Sequence, residues 1–309
     1  MKKYINWYQT TLLLFWLCLS LTVLKPDFIT NWFMSVTMLF GSFIAGATSE
    51  GGGAVAFPVM TLGFNIKPSV ARDFSLLIQS FGMSAAAYTI FKKRIPIQRD
   101  ILLPCVLSGF FGQLLSLLFL EGHFSPTFLK ITFTSIWLSF ALVLFLQHRV
   151  KSLKEVGISI NFLLIIFALF GGVVTALTGS GIDILIFSLI TLHYGVSEKI
   201  ATPTSVVLMA ALSITGVVSK FFLHGIETEA LNYWAVCAPV VIFGAPLGAI
   251  FISKRSKKFI VIFLQTSIIL QFLFSLYILN LSSFHIAWST FLVLFGTCSF
   301  YLLFKYRKS

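Results

Sequence analysis

The sequence predicts an all-α polytopic membrane protein with an inverted repeat, about eight transmembrane helices and two glycine-tipped re-entrant hairpins. Three observations predict it. Of 309 residues, 58% are hydrophobic and only 10% charged, whereas a soluble domain carries about 25% charged residues. The apolar runs are long and continuous, which reads as helices rather than the alternating strands of a barrel. Two glycine-rich stretches, Ser49-Glu50-Gly51-Gly52-Gly53 and Thr178-Gly179-Ser180-Gly181-Ile182-Asp183, interrupt apolar runs at matching places. Shifted by 130 residues, Gly51 falls on Gly181, Gly41 on Gly171, Thr48 on Thr178 and Ser75 on Ser205. Internal duplication with interrupted segments at corresponding positions is the pattern of secondary transporters.

The elements follow in order. A first helix is expected from Ile5 to Leu24. No small-x-small cleavage site precedes Lys25-Pro26, so it reads as retained rather than as a signal peptide. Phe28 to Thr48 and Ala54 to Ile66 make the first hairpin. Its second arm would be about 20 Å long against roughly 30 Å of hydrocarbon, too short to cross. After a turn at Asn65 to Ser69 come helices Val70–Phe91, Ile101–Leu120 and Thr127–Gln147. Ser159–Thr178 and Ile184–Tyr194 flank the second tip, and Ile200–Leu223, Leu231–Ile252 and Phe259–Leu279 complete the second unit. A last helix is expected from Phe284 to Phe304. The chain thus divides into an N-terminal helix (1–27), a first repeat (28–150), a second, inverted repeat (151–280) and a C-terminal helix (281–309).

The basic clusters set the orientation. Lys2-Lys3, Lys92-Lys93-Arg94, Arg149 to Lys154, Lys254 to Lys258 and Lys305 to Lys308 fall on one side. Glu121 to Ser125, Glu227 to Glu229 and Asn280 to His285 fall on the other. The positive-inside rule puts the first group and both termini in the cytoplasm of a bacterial inner membrane. It also makes the two units opposite in topology. The net charge of +12 belongs to this pattern and not to nucleic-acid binding. The four cysteines lie in apolar segments without metal or disulfide spacing and read as helix-packing residues. Trp7, Trp32 and Trp288 read as interface anchors. No metal or cofactor motif and no catalytic Ser/His/Asp arrangement is present. The expected partners are a small anionic substrate and membrane lipid, with a homo-oligomer left open.

The candidate site gathers at the tips. Glycine bares backbone polar groups, tolerated at membrane depth only in protein or a wet cavity, and an acid there is a site candidate. Glu50 either carries a proton or caps the short helix. Gly51, Gly52, Gly53, Gly179 and Gly181, with Ser180 between them, either let backbone approach an anion at helix N-termini or pack helices closely. Arg72 either neutralises Asp73 or Glu50, meets the anion, or snorkels to headgroups. Asp73 suits a helix start, and Asp183 is either a second proton site or a helix-start acid. Ser75, Gln79, Thr202, Thr204 and Ser205 are neutral donors that line a cavity or bond a nearby carbonyl. Lys220, near the end of its helix, reads as a snorkelling lysine.

Thr48-Ser49-Glu50-Gly51-Gly52-Gly53-Ala54-Val55-Ala56-Phe57-Pro58 resembles the first signature of the TauE/SafE sulfite-exporter family, and Gly179-Ser180-Gly181 through Ala201-Thr202-Pro203-Thr204-Ser205 resembles its C-terminal half. The resemblance covers roughly Gly41 to Ile252. It implies a secondary transporter, an exporter of small sulfur anions such as sulfite, thiosulfate or sulfonates, and not an enzyme. We add alternating access with proton coupling through Glu50. Arg72-Asp73-Phe74-Ser75 departs from the family pattern, in which a small residue and Thr usually precede the Ser, so no particular substrate is carried over. The alternatives are a transporter of another organic solute or a metal ion, or a membrane-embedded enzyme or signalling protein without flux. Short loops and the missing catalytic motif weigh against the last two.

Overall fold

The computed structural model describes residues 7–24, 26–52, 55–56, 59–147, 158, 160–279 and 281–307. Lys2-Lys3, Gly53, Ala54, Phe57, Pro58, Arg149 to Lys154 and Lys308 lie outside the described residues. Among the described residues the fold is helical throughout, with no strand. Helix α1 (Trp7–Leu19) continues as a π-helical turn, Ser20–Leu24, and α2 is Trp32–Ala47. Val59–Gly63 is a second π-helical turn. Then come α3 (Pro68–Lys92), α4 (Leu102–Phe119), α5 (Pro126–Gln147), α6 (Phe162–Thr178) and α7 (Ile182–Leu192). The last four are α8 (Glu198–Leu223), α9 (Thr228–Ser253), α10 (Lys257–Ile278) and α11 (Ser283–Lys305).

Seven of these, α3, α4, α5, α8, α9, α10 and α11, are long and apolar enough to cross a membrane. The chain is a multi-pass membrane protein. The eighth expected span corresponds to α1, whose 13 α-helical residues and five π-helical residues run on without a break. The arms of the tips are shorter. At 1.5 Å per residue α6 is about 26 Å long and α7 about 17 Å, against roughly 30 Å of hydrocarbon.

Local chemistry sets several helix ends. Asn161, Ser256 and Ser282 accept from Leu164 N, Phe259 N and His285 N, filling otherwise orphaned amides. The expected turn at Asn65 to Ser69 ends earlier, because Pro68 is the first residue of α3, where its missing N–H costs nothing. Helix α7 begins at Ile182 rather than Ile184, because Asp183 sits in its first turn. Helix α8 likewise takes in Glu198, a buried acid 3.4 Å from Lys257 Nζ.

Helix α9 is a packing hub that touches α1, α2 and α3. It carries Pro239 and Pro246 in its interior. A proline has no N–H, so each leaves the carbonyl four residues earlier without its helical donor. Those carbonyls belong to Ala235 and Ile242. Trp16 Nε1 donates to the first at 2.7 Å and Gln9 Nε2 to the second at 3.0 Å, both from α1. The prolines therefore fix where α1 docks. Replacing Trp16 by Phe should leave the Ala235 carbonyl unfilled and cost about 1–2 kcal/mol. A thermal unfolding midpoint equal to that of the unaltered protein would remove this account.

Small residues bring other helices close. A Cβ on Gly46 of α2 would collide with the Ala245 carbonyl of α9, and one on Gly112 of α4 with the Leu169 carbonyl of α6. Close small-residue crossings of this kind are how membrane helices pack where lipid supplies no hydrophobic drive. Helix α5 packs on α10 and α11. Of α11 only Ser289 and Phe300 are buried.

The cysteine expectation holds for half of the set. Cys105 and Cys237 are buried, whereas Cys18 and Cys298 are exposed. A helix apolar on every side shows no stripe to tell the protein face from the lipid face. Trp7 and Trp32 are exposed at helix starts. Trp288 instead donates from Nε1 to Thr132 Oγ1 at 2.9 Å and stacks on Phe128.

Candidate functional site

The first tip forms where α2 runs out. The Thr48 N–H and Oγ1 both donate to the Ile44 carbonyl, at 2.8 and 2.9 Å, and Thr48 Oγ1 accepts from Glu50 N at 3.3 Å. Gly51 then takes φ +71°, which an L side chain rarely adopts. The Gly52 carbonyl accepts from Ala56 N at 3.1 Å.

The second tip is closed differently. Gly179 ends α6 with φ +84°, a glycine cap. Thr178 Oγ1 donates to the Ser180 carbonyl at 2.7 Å, and Thr175 Oγ1 accepts from Ile182 N at 3.0 Å. Asp183 Oδ1 accepts from Gly181 N at 3.0 Å and from Ile184 N at 3.1 Å. Asp183 is thus a helix-start acid, one of the two roles expected of it.

The tips meet on one face of α3. Gln79 Nε2 donates to the Gly179 carbonyl at 2.7 Å. A Cβ added to Gly51 would lie 2.6 Å from Gln79 Oε1, 2.8 Å from Asp183 Oδ2 and 3.1 Å from Ser180 Cβ. A Cβ added to Gly179 would lie 2.5 Å from Ser75 Cβ. Gly51, Ser75, Gln79, Gly179, Ser180 and Asp183 therefore come together, though 132 positions separate the first from the last. Four buried oxygens here, Ser49 Oγ, Glu50 Oε1, Gln79 Oε1 and Asp183 Oδ2, make no hydrogen bond among the described residues. A narrow cavity between α2, α3 and α9 has Gly52 and Gln79 in its wall.

The hydroxyl candidates bond mostly within their own helices. Ser75 Oγ donates to the Ala71 carbonyl and Ser205 Oγ to the Thr202 carbonyl, both at 2.8 Å. Thr204 Oγ1 donates to the Ile200 carbonyl and accepts from Gln98 N at 2.9 Å. It fastens the α3–α4 connection and bonds no tip residue among the described residues. Thr202 is buried in α8.

Arg72 and Asp73 belong to an ion-pair cluster at the Glu121 end of the bundle. Arg72 Nη2 and Lys220 Nζ both donate to Glu121 Oε1. Asp73 Oδ1 lies 3.2 Å from Lys220 Nζ and 3.4 Å from Arg72 Nε. Asp73 Oδ2 accepts from Glu227 N at 3.1 Å, and His224 Nε2 is 3.6 Å from Glu121 Oε2. Lys220 does not snorkel. Its side chain is 5% exposed, because two acids from other elements hold it inside. Burial alone would raise the Glu121 carboxyl; the Lys220 hydrogen bond and the Arg72, Lys220 and His224 charges outweigh it and hold the acid below the usual glutamate range.

Sequence reasoning passed over Glu121 as a partner and Lys130 altogether. Lys130 is buried in α5 and lies within electrostatic range of Glu50. The available signal was a lone cation one turn into an apolar span, which is costly to keep without a use.

A family model described as sulfite exporter TauE/SafE matches residues 34–274. The chain belongs to the TauE/SafE family. The matched TauE/SafE region runs from α2 into α10 and holds both tips and the ion-pair cluster, while α1 and α11 flank it. As a TauE/SafE protein it falls in a family of membrane transporters. No curated protein and no solved structure matches the chain.

Proposed function

We propose that this TauE/SafE protein is a secondary transporter that exports a small sulfur oxyanion, sulfite or an organosulfonate, by alternating access at the two tips. The observation that carries the reading is the contact of the tips across Gln79, with four buried tip oxygens that have no hydrogen bond among the described residues. Irregular backbone and polar side chains at membrane depth are costly unless they line a pathway. The start of α7 offers amides and a partial positive charge to an anion. Asp183 already takes two of those amides, so the anion meets the tip through Gly51, Gln79, Ser180 and the amides left over.

Glu50 is the coupling group in this reading. Glu50 is buried at the first tip and its Oε1 has no hydrogen bond among the described residues, so in this reading its proton traffic follows exposure of the tip. Residues 28–150 and 151–280 act as inverted repeats between flanking helices 1–27 and 281–309. Both termini face the cytoplasm of the inner membrane, which puts the Glu121 end outside.

The test is anion flux in proteoliposomes under an imposed pH gradient, comparing sulfite, thiosulfate, sulfoacetate and sulfate. Gradient-driven flux of one sulfur anion is the expected result. No flux of any of the four by folded protein would remove this substrate class.

A further inference from the structure

We propose that Arg72 and Lys220 form an oxyanion-binding site at the outer mouth, and that the Glu121 carboxylate is its tethered occupant. The transported anion and Glu121 then take the same place in turn. The proposal rests on the anion-transport reading for the identity of the visitor and for the side of the membrane that the cradle faces. The cradle stands on geometry.

Two cations from different helices, Arg72 of α3 and Lys220 of α8, converge on one oxygen, Glu121 Oε1. Their side chains are 13% and 5% exposed, so both have given up most of their water. Buried cations of this kind are held by an anion or not at all. The anion that holds them makes the shortest contacts of the cluster but is carried on a connection and not within a helix. Glu121 follows α4 in the short connection to α5, next to Gly122, which has φ +84° and open space around it. His123, Phe124 and Ser125 are exposed. Glu121 Oε2 makes no hydrogen bond among the described residues. Asp73 differs: it lies within α3, is 1% exposed, and receives the Glu227 N–H as well as both cations.

Charge then decides what fits. With Glu121 seated and the His224 ring uncharged, two cations face two carboxylates and the cluster is neutral. With Glu121 withdrawn, one positive charge remains, which suits a monoanion. A guanidinium beside an ammonium suits an anion with at least two oxygens on one centre, as in bisulfite or a sulfonate. Glu121 and such an anion repel each other and cannot share the cradle.

The cradle also leads somewhere. Arg72, Ser75 and Gln79 follow one face of α3, at spacings of three and four residues. Ser75 abuts Gly179 and Gln79 bonds it. The Arg72 carbonyl itself lies 3.3 Å from where a Gly179 Cβ would stand. Seven residues of helix put the cradle about 10 Å from the meeting of the tips.

The experiment uses the full chain in nanodiscs, titrated calorimetrically with sulfite and with methanesulfonate, chloride serving as control. Glu121→Ala should bind both sulfur anions about tenfold or more tightly than the unaltered protein, since a tethered charged competitor has gone. Adding Lys220→Gln should cancel the gain, and adding Lys220→Arg should keep it. Unchanged or weaker binding by Glu121→Ala, or a gain that survives Lys220→Gln, overturns the proposal. If the Lys220→Gln protein does not fold, the Glu121→Ala comparison and the Lys220→Arg variant decide alone. Proteoliposome flux separates this proposal from the transport reading. A Lys220-dependent gain in binding without flux of any sulfur anion keeps the cradle and removes the transport reading. Flux without the gain does the reverse.

Discussion

Glu50→Gln is expected to abolish pH-driven anion flux while leaving a folded protein that still exchanges anion for anion. The substitution keeps the size and polarity of the side chain and removes its titration. Glu50 is 2% exposed and its Oε1 has no hydrogen-bond partner among the described residues. Little native bonding is therefore lost through that atom. A gradient of one pH unit is worth about 1.4 kcal/mol per proton carried, or about tenfold accumulation. The variant should accumulate nothing above equilibrium under the same gradient, with its elution profile and melting midpoint near those of the unaltered protein. Gradient-driven accumulation that persists in Glu50→Gln would make the acid a structural cap and move the coupling to Asp183 or elsewhere.

The second large effect falls on Gly179. Gly179→Ala should lower both stability and flux, because two faults arise at once. The residue holds φ +84°, and its Cβ would stand 2.5 Å from Ser75 Cβ. The left-handed conformation costs an L residue about 1–2 kcal/mol, and overpacking at a fixed helix about 1–3 kcal/mol. Ser75 Cβ is anchored to the α3 backbone, so the tip must retreat and stretch the 2.7 Å bond from Gln79 to the Gly179 carbonyl. Flux should fall more than about tenfold if that bond sets the alignment of the tips. Pairing the change with Ser75→Gly separates the faults: crowding is relieved and backbone strain stays. Full recovery in the double variant would show that the conformation costs nothing, and no recovery would show that crowding was never the problem.

Much of this fold was legible in the sequence because lipid is a demanding solvent. Long apolar runs, bounded by Lys, Asn, Pro and Gly, have few ways to satisfy their backbone. Helix ends such as Thr178, Leu223 and Gln147 therefore match the expectation. The tips were legible for the same reason, since glycines beside an acid at that depth have few innocent uses. The Glu121 cluster was not. Lys220 and Glu121 are 99 positions apart and Arg72 and Glu121 are 49 apart, so only the fold shows that they share an oxygen. Lys220 by itself has the pattern of a headgroup-seeking lysine. Gln9 and Trp16 were equally silent, because their partners are backbone carbonyls released by prolines more than 200 positions away.

The crossing of α2 with α9, and of α4 with α6, has a consequence for how the molecule divides. Each of these contacts joins a helix that precedes residue 148 to one that follows residue 157. Helix α1 adds two more ties of the same kind, through Trp16 and Gln9. The first and second lengths of chain are laced together like clasped hands. Pulling either length away as a rigid body would tear the glycine-lined crossings. A rocking motion that spared these crossings would divide the molecule across the lacing, between groups of helices that each draw on both lengths.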